Sequence, residues 1–139
     1  MAEKIEFELV SPEELLISQL VDMVVVPGGE GYYGVLAGHV PMITTIRPGA
    51  ITTFEDNRVT DRIFVSGGFA EVAEERITVL VESAVKVANL DKAKVEQDIR
   101  NFGEDLEDAK TDDEKATAER NLGIARAQLY EIQEAGAGH

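Results

Sequence analysis

The sequence predicts an α+β protein: an N-terminal antiparallel β-sandwich over residues 1–88, then a C-terminal antiparallel two-helix hairpin over residues 89–139. Three observations predict it. The first part of the chain alternates apolar and polar residues with period two, and turn residues interrupt it at short intervals. Near residue 89 the apolar spacing lengthens to that of a helix.

The alternation is clearest at the start, where Ile5, Phe7 and Leu9 interleave with Glu6 and Glu8. That pattern gives one face to a core and one to water. Strand-like segments follow at 15–20, 23–26, 43–47, 50–54, 62–65, 69–72 and 77–81. The turns between them are supplied by Ser11-Pro12, Pro27-Gly28-Gly29, Gly38, Pro48-Gly49, Asp56-Asn57 and Ser66-Gly67-Gly68. No stretch leaves room for the crossover helices of a parallel sheet, so the strands are expected to be antiparallel.

In the second part Val95, Ile99, Phe102, Leu106 and Ala109 recur at steps of four and three, and so do Ala118, Leu122, Ala125, Leu129 and Ile132. Each set is a narrow apolar stripe of the kind that pairs two helices. Thr111 with Glu114 three residues on is a capping box, and Asp112, Asp113 and Glu114 suit the positive end of a helix. The arms are expected at 91–109 and 112–134, each about 30 Å long. Gly103 and Gly123 lie inside them, each costing about 1 kcal/mol against alanine. They point to close helix approach or to no packing role; the alternative is a hairpin weakened enough to adopt two arrangements. The tail Ala135-Gly136-Ala137-Gly138-His139 is expected to fray.

Charge and composition exclude several functions. The 139 residues carry a formal charge of −14, from 27 acids against 13 bases, with the acidic excess spread over both parts. Without a basic stripe there is no electrostatic footprint for nucleic acid. The absence of cysteine removes disulfides and thiolate metal sites and fits a reducing compartment. Met1-Ala2-Glu3-Lys4 lacks the basic start of a signal peptide, and runs such as Met23-Val24-Val25-Val26 are too short to span a bilayer. Membrane association is therefore expected only through a partner.

Motifs for catalysis are thin. Gly29-Glu30-Gly31-Tyr32-Tyr33-Gly34 matches the G-x-G-x-x-G dinucleotide fingerprint, but that mechanism needs a helix to open directly after the glycines. Gly38 and Pro41 leave no room for one, and Glu30 sets a carboxylate beside the phosphates, so a glycine-rich turn between strands is expected. No Lys-Ser/Thr pair follows to make a phosphate-binding P-loop. His39 sits in a turn and His139 in the tail, too few groups for a triad or a histidine metal site. The acids 104–114 lack the spacing of a calcium loop and read as a solvated helix face. Arg47 and Arg76 read as ordinary surface charges at strand ends. No catalytic residue and no metal site are expected. The residues instead suggest a docking protein whose weakly charged, aromatic stretch 31–49 is a contact surface.

Here the sequence resembles a known family, the ε subunit of bacterial rotary ATP synthase, similar to the mitochondrial δ subunit. The matching segments are Val26-Pro27-Gly28-Gly29-Glu30-Gly31, Gly34-Val35-Leu36-Ala37-Gly38-His39-Val40-Pro41, Ile46-Arg47-Pro48-Gly49 and Ser66-Gly67-Gly68-Phe69-Ala70-Glu71-Val72. The resemblance spans essentially the whole sequence, and its segments are specific in combination. It implies a non-catalytic rotor-stalk subunit that couples proton flow to ATP synthesis, peripheral at the cytoplasmic face of the bacterial inner membrane. Its partners would be the γ shaft, the membrane c-ring and, transiently, the α and β catalytic subunits. Glu30, Gly31, Tyr32 and His39 would form the c-ring-facing loop, with Tyr32 where some relatives have a carboxylate; His39 equally suits a bond within its own turn. Val40, Pro41, Ser66, Gly67 and Phe69 are candidates for contact with γ.

In that family the hairpin either folds against the sandwich or extends along γ, where it inhibits hydrolysis. Some members bind ATP through an Ile/Leu-Asp-x-x-Arg-Ala motif. The sequence here reads Leu90-Asp91-Lys92-Ala93-Lys94-Val95, so Lys94 replaces a phosphate-gripping guanidinium and the motif is degenerate. Arg126 resembles the family's phosphate-reaching arginine, with Tyr130 one turn on where a second can occur. No cofactor is expected. Between 112 and 134 Lys115, Arg120 and Arg126 face Asp112, Asp113, Glu114, Glu119, Glu131 and Glu134. An acidic helix is repelled by acidic catalytic levers, so inhibition is expected to be weak. The rival readings are a small nucleotide-binding oxidoreductase using residues 29–34, which predicts NAD binding, and a free-standing scaffold module.

Overall fold

The structure, a computed structural model, describes residues 3–137. It divides into two compact units between Lys86 and Val87. The expectations for Met1, Ala2, Gly138 and His139 lie outside the described residues.

The first unit is built from ten strands: β1 (Ile5–Val10), β2 (Leu15–Val21), β3 (Met23–Gly28), β4 (Gly31–Val35), β5 (Met42–Ile46), β6 (Gly49–Glu55), β7 (Arg58–Val65), β8 (Gly68–Val72), β9 (Arg76–Val81) and β10 (Ala84–Lys86). They form one sheet in the order β10-β7-β6-β3-β5-β8-β9-β1-β2, with β4 pairing only β3 off this path. The sheet closes over itself because each strand turns alternate residues inward. Ile5, Phe7 and Leu9 of β1 meet Val24 and Val26 of β3, Ile51 of β6, Ile63 and Val65 of β7, and Ile77 and Val79 of β9 in one core. The sandwich read from the alternation is therefore present.

Two details differ from expectation. Residues 31–35, expected within a loop, form strand β4, which pairs with β3 from Gly28↔Gly31 to Val24↔Val35. And β1 runs parallel to β9, with Phe7 opposite Ile77. The need for a crossover helix applies to strands close in sequence. Here the seven strands β2–β8 lie between, so the intervening sandwich itself makes the return.

The turns follow their residues. Asp56 and Asn57 both take positive φ (53° and 62°), the geometry of a tight hairpin between β6 and β7. The Asp56 N–H donates to Asp22 Oδ2 at 2.7 Å, and Lys4 reaches Asp22 at 3.1 Å and Glu55 at 3.2 Å. The Asp56 N–H and then Lys4 hold the Asp22 carboxyl below its ordinary range.

The second unit begins with a 3-10 turn at Val87–Asn89, followed by α1 (Lys92–Asp108) and α2 (Asp112–Ala137). Asp91 caps α1, accepting from the N–H groups of Ala93 (3.0 Å) and Lys94 (3.3 Å). The expected capping box is reciprocal: Glu114 N–H donates to Thr111 Oγ1 at 3.1 Å, and Thr111 N–H donates to Glu114 Oε1 at 3.2 Å. Val95, Ala118, Leu122 and Ala125 of the two stripes are buried.

One expectation is corrected here, and one reading is narrowed to the second of its two branches. The helix α2 continues through Ala137, so 135–137 are helical rather than frayed. Neither Gly103 nor Gly123 serves a close helix approach, since a Cβ built on either meets no atom within 4 Å. Gly123→Ala is thus expected to raise the unfolding free energy of the hairpin by about 0.5–1 kcal/mol, seen as a higher melting temperature by circular dichroism at 222 nm.

Candidate docking surfaces

The expected contact stretch 31–49 is not one loop. Strand β4 separates its two parts. Glu30, Gly31 and Tyr32 belong to a hairpin tip at one end of β4, whereas His39 lies past the other end, beyond Val35. At about 3.3 Å per strand residue the two parts stand more than about 13 Å apart along the strand.

The tip is a two-residue connection, Gly29-Glu30, closed by the pair Gly28↔Gly31. Its glycines have a steric cause. A Cβ on Gly28 would lie 2.7 Å from Tyr33 Cε1, and one on Gly29 would lie 2.8 Å from Thr45 Oγ1. Gly29 N–H also donates to the Thr45 carbonyl at 3.2 Å, tying the tip to β5. Since β4 and not a helix follows these glycines, the fingerprint 29–34 has no helix N-terminus to offer a pyrophosphate.

Beside the tip stands Arg47, which by sequence alone reads as a plain surface charge. Its N–H donates to the Pro27 carbonyl at 2.9 Å, and its Nε to the Gly28 carbonyl at 3.1 Å. Its guanidinium carbon lies 4.8 Å from the centre of the Tyr32 ring, within cation–π range. Tyr32 is 44% exposed, so the pair holds the ring without hiding it. Ser66 and Gly67 lie at this same end. Ser83 Oγ donates to Ser66 Oγ at 3.0 Å, and Gly67 (φ 117°) sits against Pro48 and the Ile46 carbonyl.

At the opposite end Gly38 takes φ 88° and donates its N–H to the Glu74 carbonyl at 2.7 Å. His39 N–H donates to the Leu36 carbonyl at 3.2 Å, and its ring Nδ1 donates to the Val40 carbonyl at 2.8 Å. His39 thus makes the bond within its own turn that one of its two readings expects. Val40 and Pro41 follow it, with Val40 74% exposed.

Phe69 belongs to a larger feature. It pairs with Leu80 of β9, Leu80 with Val10 of β1, and Val10 with Leu15 of β2. Residues paired across strands share a face, so these four side chains form an apolar row over the outside of the sheet. Phe69 (57%), Leu80 (46%) and Leu15 (55%) are each about half exposed or more, with Ile43 exposed on the neighbouring strand. In the next two rows on this face Glu8 accepts from Thr78 Oγ1 at 3.4 Å, and Arg76 Nε lies 3.0 Å from Glu6. An apolar row bordered by paired charges has the form of a docking surface. Of its members Phe69 alone is a candidate by sequence, because Val10, Leu15 and Leu80 become neighbours only through strand register.

On the helices Asp91 is engaged as the α1 cap, and Lys94 Nζ pairs with Asp98 at 3.0 Å. Arg126 is exposed on α2. Among the described residues no group of three or more His, Cys, Asp or Glu is placed to hold a metal ion. No described helix is long and apolar enough to cross a membrane.

Two family models match the sequence. Residues 4–87 match the beta-sandwich domain of the ATP synthase Delta/Epsilon chain, and residues 91–139 match the C-terminal domain of the ATP synthase epsilon chain. The protein belongs to the ATP synthase epsilon chain family. It is 55% identical to the epsilon chain of Paramagnetospirillum magneticum over 132 residues, spanning 95% of this sequence and 99% of that one. With the epsilon chain of Rhodospirillum centenum it shares 53% identity over 134 residues, spanning 93% and 92%. The fold is that of a subunit in the Euglena gracilis mitochondrial ATP synthase OSCP/F1/c-ring structure, with TM-score 0.78, 22% identity, and coverage of 97% and 82%. Membership in the epsilon chain family leaves the dinucleotide-binding alternative without support.

Proposed function

We propose that this protein is a non-catalytic rotor-stalk subunit of the ATP synthase, coupling proton passage through the c-ring to ATP synthesis. The observation that carries the proposal is the exposed apolar row of Phe69, Leu80, Val10 and Leu15 on a sandwich of the epsilon chain family. A row of that kind exposed in the free protein suits burial against an elongated partner, and the γ shaft is that partner. Ser66 and Gly67 directly precede β8 near Phe69 and extend the contact, while Val40 and Pro41 offer a second, separate contact at the opposite end of the sheet. The β3–β4 tip with Glu30, Gly31 and Tyr32 meets the polar loops of the c-ring, and the protein reaches the cytoplasmic face of the inner membrane through the complex alone. His39 supports its own turn and serves γ contact indirectly.

In this proposal residues 1–88 dock and 89–139 are a regulatory arm. The arm binds no nucleotide: Asp91 is engaged by the helix cap and Lys94 by Asp98, and neither offers the fork of an arginine. Mixing the full-length protein with the γ subunit and the α and β catalytic subunits is expected to give one co-eluting complex on size exclusion. A protein that elutes alone would overturn the assignment. Deleting 89–139 is expected to leave ATP hydrolysis by the reconstituted catalytic complex nearly unchanged. Several-fold activation would show instead that the arm inhibits despite its acidic balance.

A further inference from the structure

We infer that Arg47 is the positioning residue of the β3–β4 tip, a clamp that sets the angle at which Glu30, Gly31 and Tyr32 are presented. The inference deepens the reading of this tip as the c-ring contact and rests on it for its functional consequence alone.

The tip needs such a device. Strand β4 pairs only with β3, so the β4 side of the hairpin has no second neighbour in the sheet. A two-stranded ribbon is marginal by itself in water. Toward the tip, the link from β3 to β5 is the single ladder pair Gly28↔Ile46, supplemented by the Gly29 N–H bond to Thr45. Arg47, the residue directly after β5, adds three anchors of different kinds. Its backbone N–H holds Pro27 at 2.9 Å, its Nε holds Gly28 at 3.1 Å, and its guanidinium plane covers Tyr32 with 4.8 Å from carbon to ring centre. The first two fix β3 just before the tip, and the third fixes β4 just after it. Both strands of the ribbon are thereby tied to the β5–β6 turn.

Two further observations fit a clamp rather than a surface charge. A Cβ on Gly49 would lie 2.9 Å from the Tyr32 hydroxyl and 2.9 Å from Pro27 Cβ, so the far end of the Tyr32 ring is seated on bare backbone. Between Met23 and Gly49 the sequence has no carboxylate, lysine or arginine other than Glu30 and Arg47. Lysine cannot replace this geometry. Donating from Nε while stacking a flat cation on a ring requires a guanidinium, and an ammonium has neither the fixed donor nor the plane.

The protein has no cysteine, so Glu30→Cys creates a unique spin-label site on the tip, and Glu13→Cys provides a control in the β1–β2 turn, with β1 four strands along the sheet from β3. In the full-length protein, Arg47→Ala and Arg47→Lys are both expected to shorten the rotational correlation time of the label at 30 several-fold and to leave the label at 13 unchanged. An immobile tip in Arg47→Ala overturns the clamp, as does equal loosening at both positions. Full restoration by Arg47→Lys shows that charge alone suffices and overturns it too. The same Arg47 variants without the cysteine, in reconstituted synthase, are expected to lower proton pumping per ATP hydrolysed. A loosened tip with undiminished pumping upholds the clamp and refutes the c-ring contact, so the two ideas fail separately.

Discussion

Gly68→Ala is expected to destabilise the sandwich by about 3 kcal/mol or more, the cost of forcing atoms into a filled site with no flexible neighbour. Gly68 pairs with Ile46 of β5 on one side and Val81 of β9 on the other. A Cβ there would overlap the Leu80 carbonyl oxygen and lie 3.0 Å from its carbon and 3.2 Å from Val81 Cα. All three are backbone atoms of an interior strand, so relief requires β8 and β9 to part. That movement opens the core at Ala70, Val72, Val79 and Val81. Urea denaturation followed by circular dichroism would show it as a midpoint lowered by more than about 1 M. An unchanged midpoint would mean that β9 can shift at little cost.

The second large effect concerns binding. Phe69→Asp is expected to weaken association with γ by about 100-fold, because it places an uncompensated carboxylate at the centre of a desolvated contact. Phe69 is 57% exposed in the free protein, so the substitution removes little core packing. Stability is expected to change by less than about 1 kcal/mol, mostly through strand propensity. Titration calorimetry against γ, with Phe69→Leu retained as an apolar control, separates the two quantities. Undiminished affinity in Phe69→Asp would remove the apolar row from the interface.

How much of this was legible in the sequence depended on how local the cause was. The alternation of Ile5, Phe7 and Leu9 is set by the pleat of a single strand, and all three are fully buried. The Thr111–Glu114 box lies within four residues and forms as read. Strand β4 was missed because Gly31, Tyr32, Tyr33 and Gly34 resemble a turn when taken alone. They become a strand only by pairing with the β-branched run of β3. The parallel pairing of β1 with β9 was missed for a similar reason, since it joins segments from the two ends of the unit.

The candidate site divides along the same line. Glycine-rich turns could be picked out residue by residue, and Phe69 and the degenerate Asp91–Lys94 motif through the family resemblance. Whether they act together could not. His39 and Tyr32 are seven positions apart in sequence, yet β4 holds them at opposite ends of the sheet. Arg47 and Tyr32 are farther apart in sequence and stack.

By itself, then, the sequence determined the two-part architecture, the helix caps and, through short segments in a specific order, the epsilon chain family. Periodicity and capping arise from contacts within a few residues, so a linear reading contains them. Only the tertiary structure decided that Phe69, Leu80, Val10 and Leu15 form one row and that Arg47 anchors the tip. Those neighbours are set by strand register and by how turns meet, and register depends on the packing of the whole core rather than on any one segment.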